Sequence, residues 1–352
     1  FRRRVDFVRV PGVIKLRNGD YTSHSLDLDI EQTVAMRASI VRHTAEIFDP
    51  DLFIVDKEPL GLRGEVAETL EMLRQRGTPL VLGLRDVMDE PSLLATEWER
   101  KNVVPALEKL YDEIWVYGLP QICDPLAEIN LPPEVRRKMV YTGYLEREGA
   151  RGAPATEHAV PFDRPYLLVT PGGGGDGEAM MDWVLRAYEY DARPPYPALL
   201  VFGPFMQNEI QAEFAARVSR LRDVEAITFE ANIEPLIQEA AGIVAMGGYN
   251  TFCEILTFDK PSLIIPRTVP RMEQFIRANR AQELGLVRML ADDGVRLARD
   301  MATALRHLPQ QNRPSDVVVP GLLDGLPNVN RLARRLGNRG SQPITAIAGG
   351  SA

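Results

Sequence analysis

The chain has 352 residues, 45% hydrophobic and 26% charged, with a formal net charge of -8, so it can bury two cores and two domains are expected. An acidic balance with no concentrated basic face carrying aromatics argues against a broad nucleic-acid footprint, and no apolar run is long enough to span a bilayer. Two cysteines, Cys123 and Cys253, exclude a disulfide framework and read as reduced, buried thiols of a cytosolic protein, and four histidines outside any Cys/His cluster argue against structural zinc.

The chain opens on the basic cluster Arg2, Arg3 and Arg4, a solvated end, and on a strand-like run at residues 5–10; no apolar h-region follows. Residues 30–48 carry helical periodicity, 51–55 (DLFIV) read as a buried strand, and 64–76 as a helix closed by Gly77. Residues 79–84 (PLVLGL), 113–116 (EIWV) and 140–142 complete a strand series, with a helical stretch at 98–110. Such alternation implies a parallel sheet with right-handed crossovers.

Polar clusters follow two of these strands: Asp56, Lys57 and Glu58 after DLFIV, and Arg85 and Asp86 after PLVLGL. At the carboxyl edge of a parallel sheet they are either substrate contacts with an acid/base group, or ion pairs such as Asp56/Arg85 or Glu58/Arg85 that tie the loops together. Asp56, Glu58 and Asp86 are the candidate catalytic carboxylates. The segment at 86–91 (DVMDEP) lacks the DxD spacing of a metal-bound diphosphate site, so neither a metal ion nor a resident cofactor is expected.

Residues 146–165 (EREGARGAPATEHAVPFDRP) are rich in Gly, Ala, Pro and charge and read as a linker or long surface loop. The second half restarts with a strand at 166–170, the turn PGGGGDG and a helix at 178–190. A glycine turn between strand and helix suits a phosphate, and four consecutive glycines are costly in entropy for a turn that touches nothing. The next strand, 198–202, ends in Gly203 and Pro204 without a ribose-binding acid, which counts against a nicotinamide site, and no Gly-Lys-Ser/Thr marks a P-loop. A strand at 224–229 and a short helix at 232–240 follow.

Residues 241–290 organise the chain. An apolar strand at 242–246 breaks at Gly247 and Gly248, a helical segment carries Asn250, Thr251 and Glu254, a second strand spans 262–266, and a third element begins near Arg271 with Glu273 and Gln274. Glycines let a phosphate approach the backbone, and the N–H groups and dipole of the following helix attract it. Two readings of Glu254 stand: Thr251 to Glu254 fits a capping box, or Glu254 accepts from paired sugar hydroxyls. Arg267 and Arg271 flank the next loop and either pair with a diphosphate or stay solvated.

The order GGYNTFCE, KPSLIIPR, MEQFIRAN resembles the donor-binding half of the MurG-like glycosyltransferases, family 28, of GT-B fold. The resemblance implies an α/β architecture of two Rossmann-like, doubly wound parallel-sheet domains facing a cleft. Residues 1–145 would form the acceptor domain, missing a leading strand and loop, with 146–338 the donor domain and 339–352 a disordered tail. It also implies that Gly173 and Gly174 of the first glycine turn, and Gly247 and Gly248 of the second, meet the diphosphate, that Glu254 meets the ribose, and that Glu273 and Gln274 meet the donor sugar. Asn250, Thr251 and Arg271 would add contacts, residues 229–233 would lie beside the base, and the last helix would cross back to the first domain.

A hexose or N-acetylhexosamine would then pass from a nucleotide-diphosphate sugar, with UDP the expected nucleotide, to an acceptor hydroxyl without a metal. The alternatives are a non-hydrolysing UDP-N-acetylglucosamine 2-epimerase and a non-catalytic sugar-nucleotide-binding protein. The expected location is cytoplasmic, with peripheral association at the inner face of the membrane left open.

Overall fold

The computed structural model describes residues 5–15, 21–24, 26–147, 160–172, 176–191 and 193–340. Two parallel sheets carry the fold. In the first, β3 (Phe53–Asp56), β4 (Leu80–Arg85), β5 (Glu113–Tyr117) and β6 (Met139–Tyr141) lie in chain order, preceded by a short antiparallel pair, β1 (Val13–Lys15) and β2 (Tyr21–Ser23). Residues 5–10, expected as a strand, are not one: Val5, Phe7 and Val8 are exposed, and the edge strand β3 pairs only with β4. Alternating apolar residues do not make a strand without a partner for their backbone groups.

Strand β4 shows why a continuous apolar run marks a buried parallel strand. Leu80, Leu82 and Leu84 face a core closed by Leu70, Leu73, Trp98 and Tyr111, while Val81 faces the other way with Trp115. That second face is covered by Leu332 and Leu336 of the C-terminal helix Gly325–Gly340, which crosses back to the first sheet. Residues 341–352 of the expected tail lie outside the described residues.

The second sheet contains β7 (Leu167–Thr170), β8 (Ala198–Val201), β9 (Val224–Ile227), β10 (Gly242–Ala245), β11 (Ser262–Ile264) and β12 (Arg288–Met289), in the spatial order β12-β11-β10-β7-β8-β9, all parallel. Leu167, Val169 and Val244 point into one apolar layer with Met181, Val184 and Trp183; Leu168, Ile243 and Ala245 point into the other with Phe252, Ile255 and Leu256. The chain winds outward from β7 to β9, then returns to the other side of β7 and winds outward again. The direction therefore reverses between β7 and β10, and open α/β sheets place ligands at the carboxyl ends of such a pair.

Two strands of chain cross between the sheets. Tyr144 N donates to Leu322 O at 2.8 Å, Gly325 N donates to Tyr144 O at 3.1 Å, and Asn328 Nδ2 donates to Thr142 O at 2.9 Å. Gly143 has φ +87°, and a Cβ there would lie 2.3 Å from Gly321 O, so the approach needs glycine. The expected linker falls mostly on residues 148–159, outside the described residues.

Candidate functional site

A pocket of about 220 Å³ opens where the second sheet reverses direction, lined by Thr170, Gly172, Gly203, Phe205, Phe229, Glu230, Asn250, Thr251 and Glu254 among others. Gly172, at φ +81°, turns the chain after β7, and its N–H donates to Thr170 Oγ1 at 3.2 Å. A Cβ on Gly172 would stand 3.1 Å from Thr251 Oγ1, so the first glycine turn lies against the helix that follows β10. Gly173 and Gly174 lie outside the described residues.

The second turn is built differently at its two glycines. Gly247 has φ +78°, and a Cβ there would lie 2.7 Å from Ile264 Cγ2, so both conformation and space demand glycine. Gly248 is the N-cap of the helix Tyr249–Thr257, at φ -57° and ψ 155°, and a Cβ there would meet open space. The first-turn N–H groups beyond it lack intrahelical partners, and with the helix dipole they form an anion seat.

The position of this N-cap decides between the two readings of Glu254. The helix starts at Tyr249 with no side-chain cap, so Thr251 and Glu254 do not form a capping box. Phe252, Cys253, Ile255 and Leu256 are buried against the sheet, which leaves Asn250 and Glu254, four residues apart, on the face that lines the pocket. Burial pushes the Glu254 carboxyl up to about 7; the Arg147 charge opposes this and the Glu234 charge adds to it. A half-buried carboxylate with no hydrogen-bond donor of its own among the described residues suits paired hydroxyls.

Glu273 and Gln274 open the helix Glu273–Glu283 beyond β11, and both engage Arg267. Gln274 Oε1 accepts from Arg267 N at 3.1 Å, and Glu273 Oε1 accepts from Arg267 Nη2 at 2.7 Å, while Arg267 also pairs with Asp176 of the first glycine turn. Glu273 Oε2 is buried without a partner, an acceptor that a sugar hydroxyl would satisfy. Arg271, expected at the donor, instead reaches the first domain: Nη1 donates to Met88 O at 3.4 Å, and it pairs with Asp89 and Glu97, each at 3.6 Å.

The structure does not bring the three candidate catalytic carboxylates together. Asp86 is fully buried and accepts from Arg277 Nε at 2.7 Å, Arg277 Nη2 at 2.6 Å and Tyr144 Oη at 2.7 Å. It therefore ties the end of β4 in the first sheet to the helix Glu273–Glu283 beyond β11 in the second. Glu58 pairs with Lys101 at 3.0 Å, and neither Asp56 nor Glu58 pairs with Arg85. Asp56 is exposed at the end of β3. Lys57, at φ +69°, is held by its N–H donating to Gly83 O at 2.7 Å, and Arg85 lies with its guanidinium carbon 5.7 Å from the Tyr249 ring centroid. Arg85 thus lies beside the helix that follows the second glycine turn.

Residues 173–315 match the glycosyltransferase family 28 C-terminal domain. The chain is 27% identical over 258 residues to an uncharacterized glycosyltransferase of Methanosarcina acetivorans, covering 69% of this chain and 61% of that protein, so it spans about three fifths of that relative's length. Among solved structures, MurG of Acinetobacter baumannii superposes with a TM-score of 0.51 at 14% identity, covering 89% of this chain and 82% of that one. The UDP-GlcNAc 2-epimerase of Neisseria meningitidis, bound to UDP-GlcNAc, superposes at 0.57 and 14% identity, covering 89% and 83%. At such identities the likeness defines the fold, which is GT-B.

Among the residues that line this pocket, sequence reasoning missed Phe205. Phe205, 69% exposed, and Phe229, 49% exposed, stand at the pocket mouth. An exposed phenylalanine directly after the strand-ending Gly203-Pro204 was the available signal, since such a ring is rarely left in water without a surface to cover. Glu230, 5% exposed, accepts from Asn232 N at 2.9 Å and shapes the loop expected beside the base.

Proposed function

We propose that this GT-B protein is a glycosyltransferase that takes a hexose or N-acetylhexosamine from a UDP-linked donor and passes it to an acceptor hydroxyl. The observation that carries this reading is the pocket at the reversal between β7 and β10, where Glu254 faces the cavity with no cap to make and no donor of its own among the described residues. In this reading Glu254 receives the ribose hydroxyls, and Phe229 with residues 230–233 borders the base. The Gly247-Gly248 turn and the first N–H groups of the following helix hold the diphosphate. Glu273, through its unpartnered Oε2, and Gln274 hold the sugar.

The acceptor oxygen attacks the anomeric carbon as the bond from that carbon to the diphosphate breaks. Charge develops on the leaving phosphate, and the helix-end N–H groups take it up without reorganising. Of the three carboxylates at the carboxyl edge of the first sheet, Asp56 is the one neither buried nor ion-paired, and it is assigned to accept the acceptor proton. Asp86 is assigned to holding the domains together.

Radiolabelled UDP-glucose and UDP-N-acetylglucosamine, incubated with and without a panel of hydroxyl acceptors, test the reading. Acceptor-dependent UDP release with label transfer is expected. Conversion of UDP-N-acetylglucosamine to its 2-epimer without acceptor would assign the other chemistry to the site, and UDP binding without turnover of any donor would make the protein a sensor.

A further inference from the structure

We infer that Arg277 and Asp86 are positioning residues for the leaving diphosphate: they fix the plane of the Gly247–Gly248 peptide and so aim the Gly248 N–H at the phosphate. The inference rests on the glycosyltransferase reading and deepens it. Arg277 Nη1 donates to Gly247 O at 2.9 Å, and the rest of that guanidinium is locked by Asp86, which accepts from Nε at 2.7 Å and from Nη2 at 2.6 Å. Tyr144 Oη holds the same carboxylate at 2.7 Å, and Arg277 is 1% exposed. The Gly247 carbonyl therefore meets a donor that planar, two-toothed pairing holds in place.

In a planar trans peptide the carbonyl and the N–H point in opposite directions. The Gly247–Gly248 bond is trans. A carbonyl fixed towards Arg277 thus turns the Gly248 N–H the other way, where it has no acceptor among the described residues. The next residue is anchored to the same junction: the buried Tyr249 ring lies 6.0 Å from the Tyr144 ring centroid and 5.8 Å from the Arg277 guanidinium carbon. Gly248 is held from both sides, while its own Cβ position meets open space. Without the tie, a glycine peptide rotates at little cost, and a donor that must turn as charge develops stabilises the leaving group less than one already aimed. Asp86 directly follows β4, so the carboxyl edge of the first sheet sets the direction of a donor in the second.

The test compares two ligands: UDP, by titration calorimetry, and uridine, which lacks the phosphates, by ligand-observed NMR titration. The double variant Asp86→Leu, Arg277→Met removes the pair without stranding a charge. Arg277→Lys keeps a cation beside Asp86 but has no planar fork to reach both Asp86 oxygens and Gly247 O together, and it carries the comparison should the double variant not fold. In each folded variant UDP affinity should fall about tenfold or more while uridine affinity stays within about threefold of wild type, whatever the change in melting temperature. A ratio of UDP to uridine affinity equal to that of wild type would overturn the inference and leave Arg277 a structural tie, even if the variant melts lower. A wild-type protein that binds no UDP would remove the donor reading itself and the inference with it, whereas UDP binding that is unchanged in the variants sinks the inference alone.

Discussion

Asp86 and Arg277 form a two-toothed ion pair between the domains, 0% and 1% exposed, and Arg277 carries it onward by donating to Gly247 O at 2.9 Å. The same guanidinium therefore grips the first domain and the turn assigned to the diphosphate. Removing one partner of such a pair strands a buried charge, which costs about 3–5 kcal/mol. Asp86→Ala should lose stability of that order in urea unfolding, and Asp86→Leu combined with Arg277→Met should lose less than the single change. Equal losses would show that the pair is not coupled.

The two turn glycines should behave differently. Gly247→Ala forces a left-handed backbone, worth about 1–2 kcal/mol, and drives its methyl against Ile264, so it should lower the melting temperature as well as UDP affinity. Gly248→Ala has open space and an ordinary φ. It should fold as wild type and lose affinity alone, because its methyl would stand where the proposed diphosphate approaches. Calorimetric melting and UDP titration of both variants check this.

On the proposed donor reading, Glu254 should make nucleotide binding depend on pH. In the free protein burial holds its carboxyl up to about 7, so folding takes up a proton between the ordinary carboxylate range and that value. The group's contribution to stability is therefore greatest below the ordinary range and declines as pH rises toward 7. Hydroxyls donating to the carboxylate favour the ionised form. UDP binding below pH 7 should therefore release a proton, and affinity should rise as pH passes through about 7. Titration calorimetry in two buffers of different ionisation enthalpy measures the proton. Glu254→Gln should abolish the release and leave the free protein more stable than wild type at pH 8.

The C-terminal helix should be part of the first domain's core. Leu332 and Leu336 cover Val81 and Trp115, and Arg335 pairs with Glu113. Leu332→Ala should cost about 2–5 kcal/mol, measurable by denaturant unfolding, and should quench or shift Trp115 fluorescence in the folded state. A cost near zero would mean that the helix docks loosely.

Much of the second domain was legible because its strands are buried on both faces and read as unbroken apolar runs between glycine turns. The helix Glu178–Tyr190 was bounded correctly from its pattern alone. What local pattern could not supply was the destination of single charges. Asp86 and Arg277 are 191 residues apart, and nothing in DVMDEP distinguishes a cleft carboxylate from a junction one. Thr251 to Glu254 matched a capping box, yet Gly248 starts the helix earlier, so a tertiary turn overrode the local motif. Arg271 similarly looked like a diphosphate ligand until the first domain supplied Asp89 and Glu97.

The most direct measurement is the binding of UDP to wild type and to Glu254→Ala by isothermal titration at pH 8, where the carboxyl is ionised. Saturable UDP binding by wild type, weakened about tenfold or more in the variant through loss of charge-assisted hydrogen bonds, is predicted. Equal affinity in the two proteins, or no binding of UDP by wild type, would contradict the donor site described above.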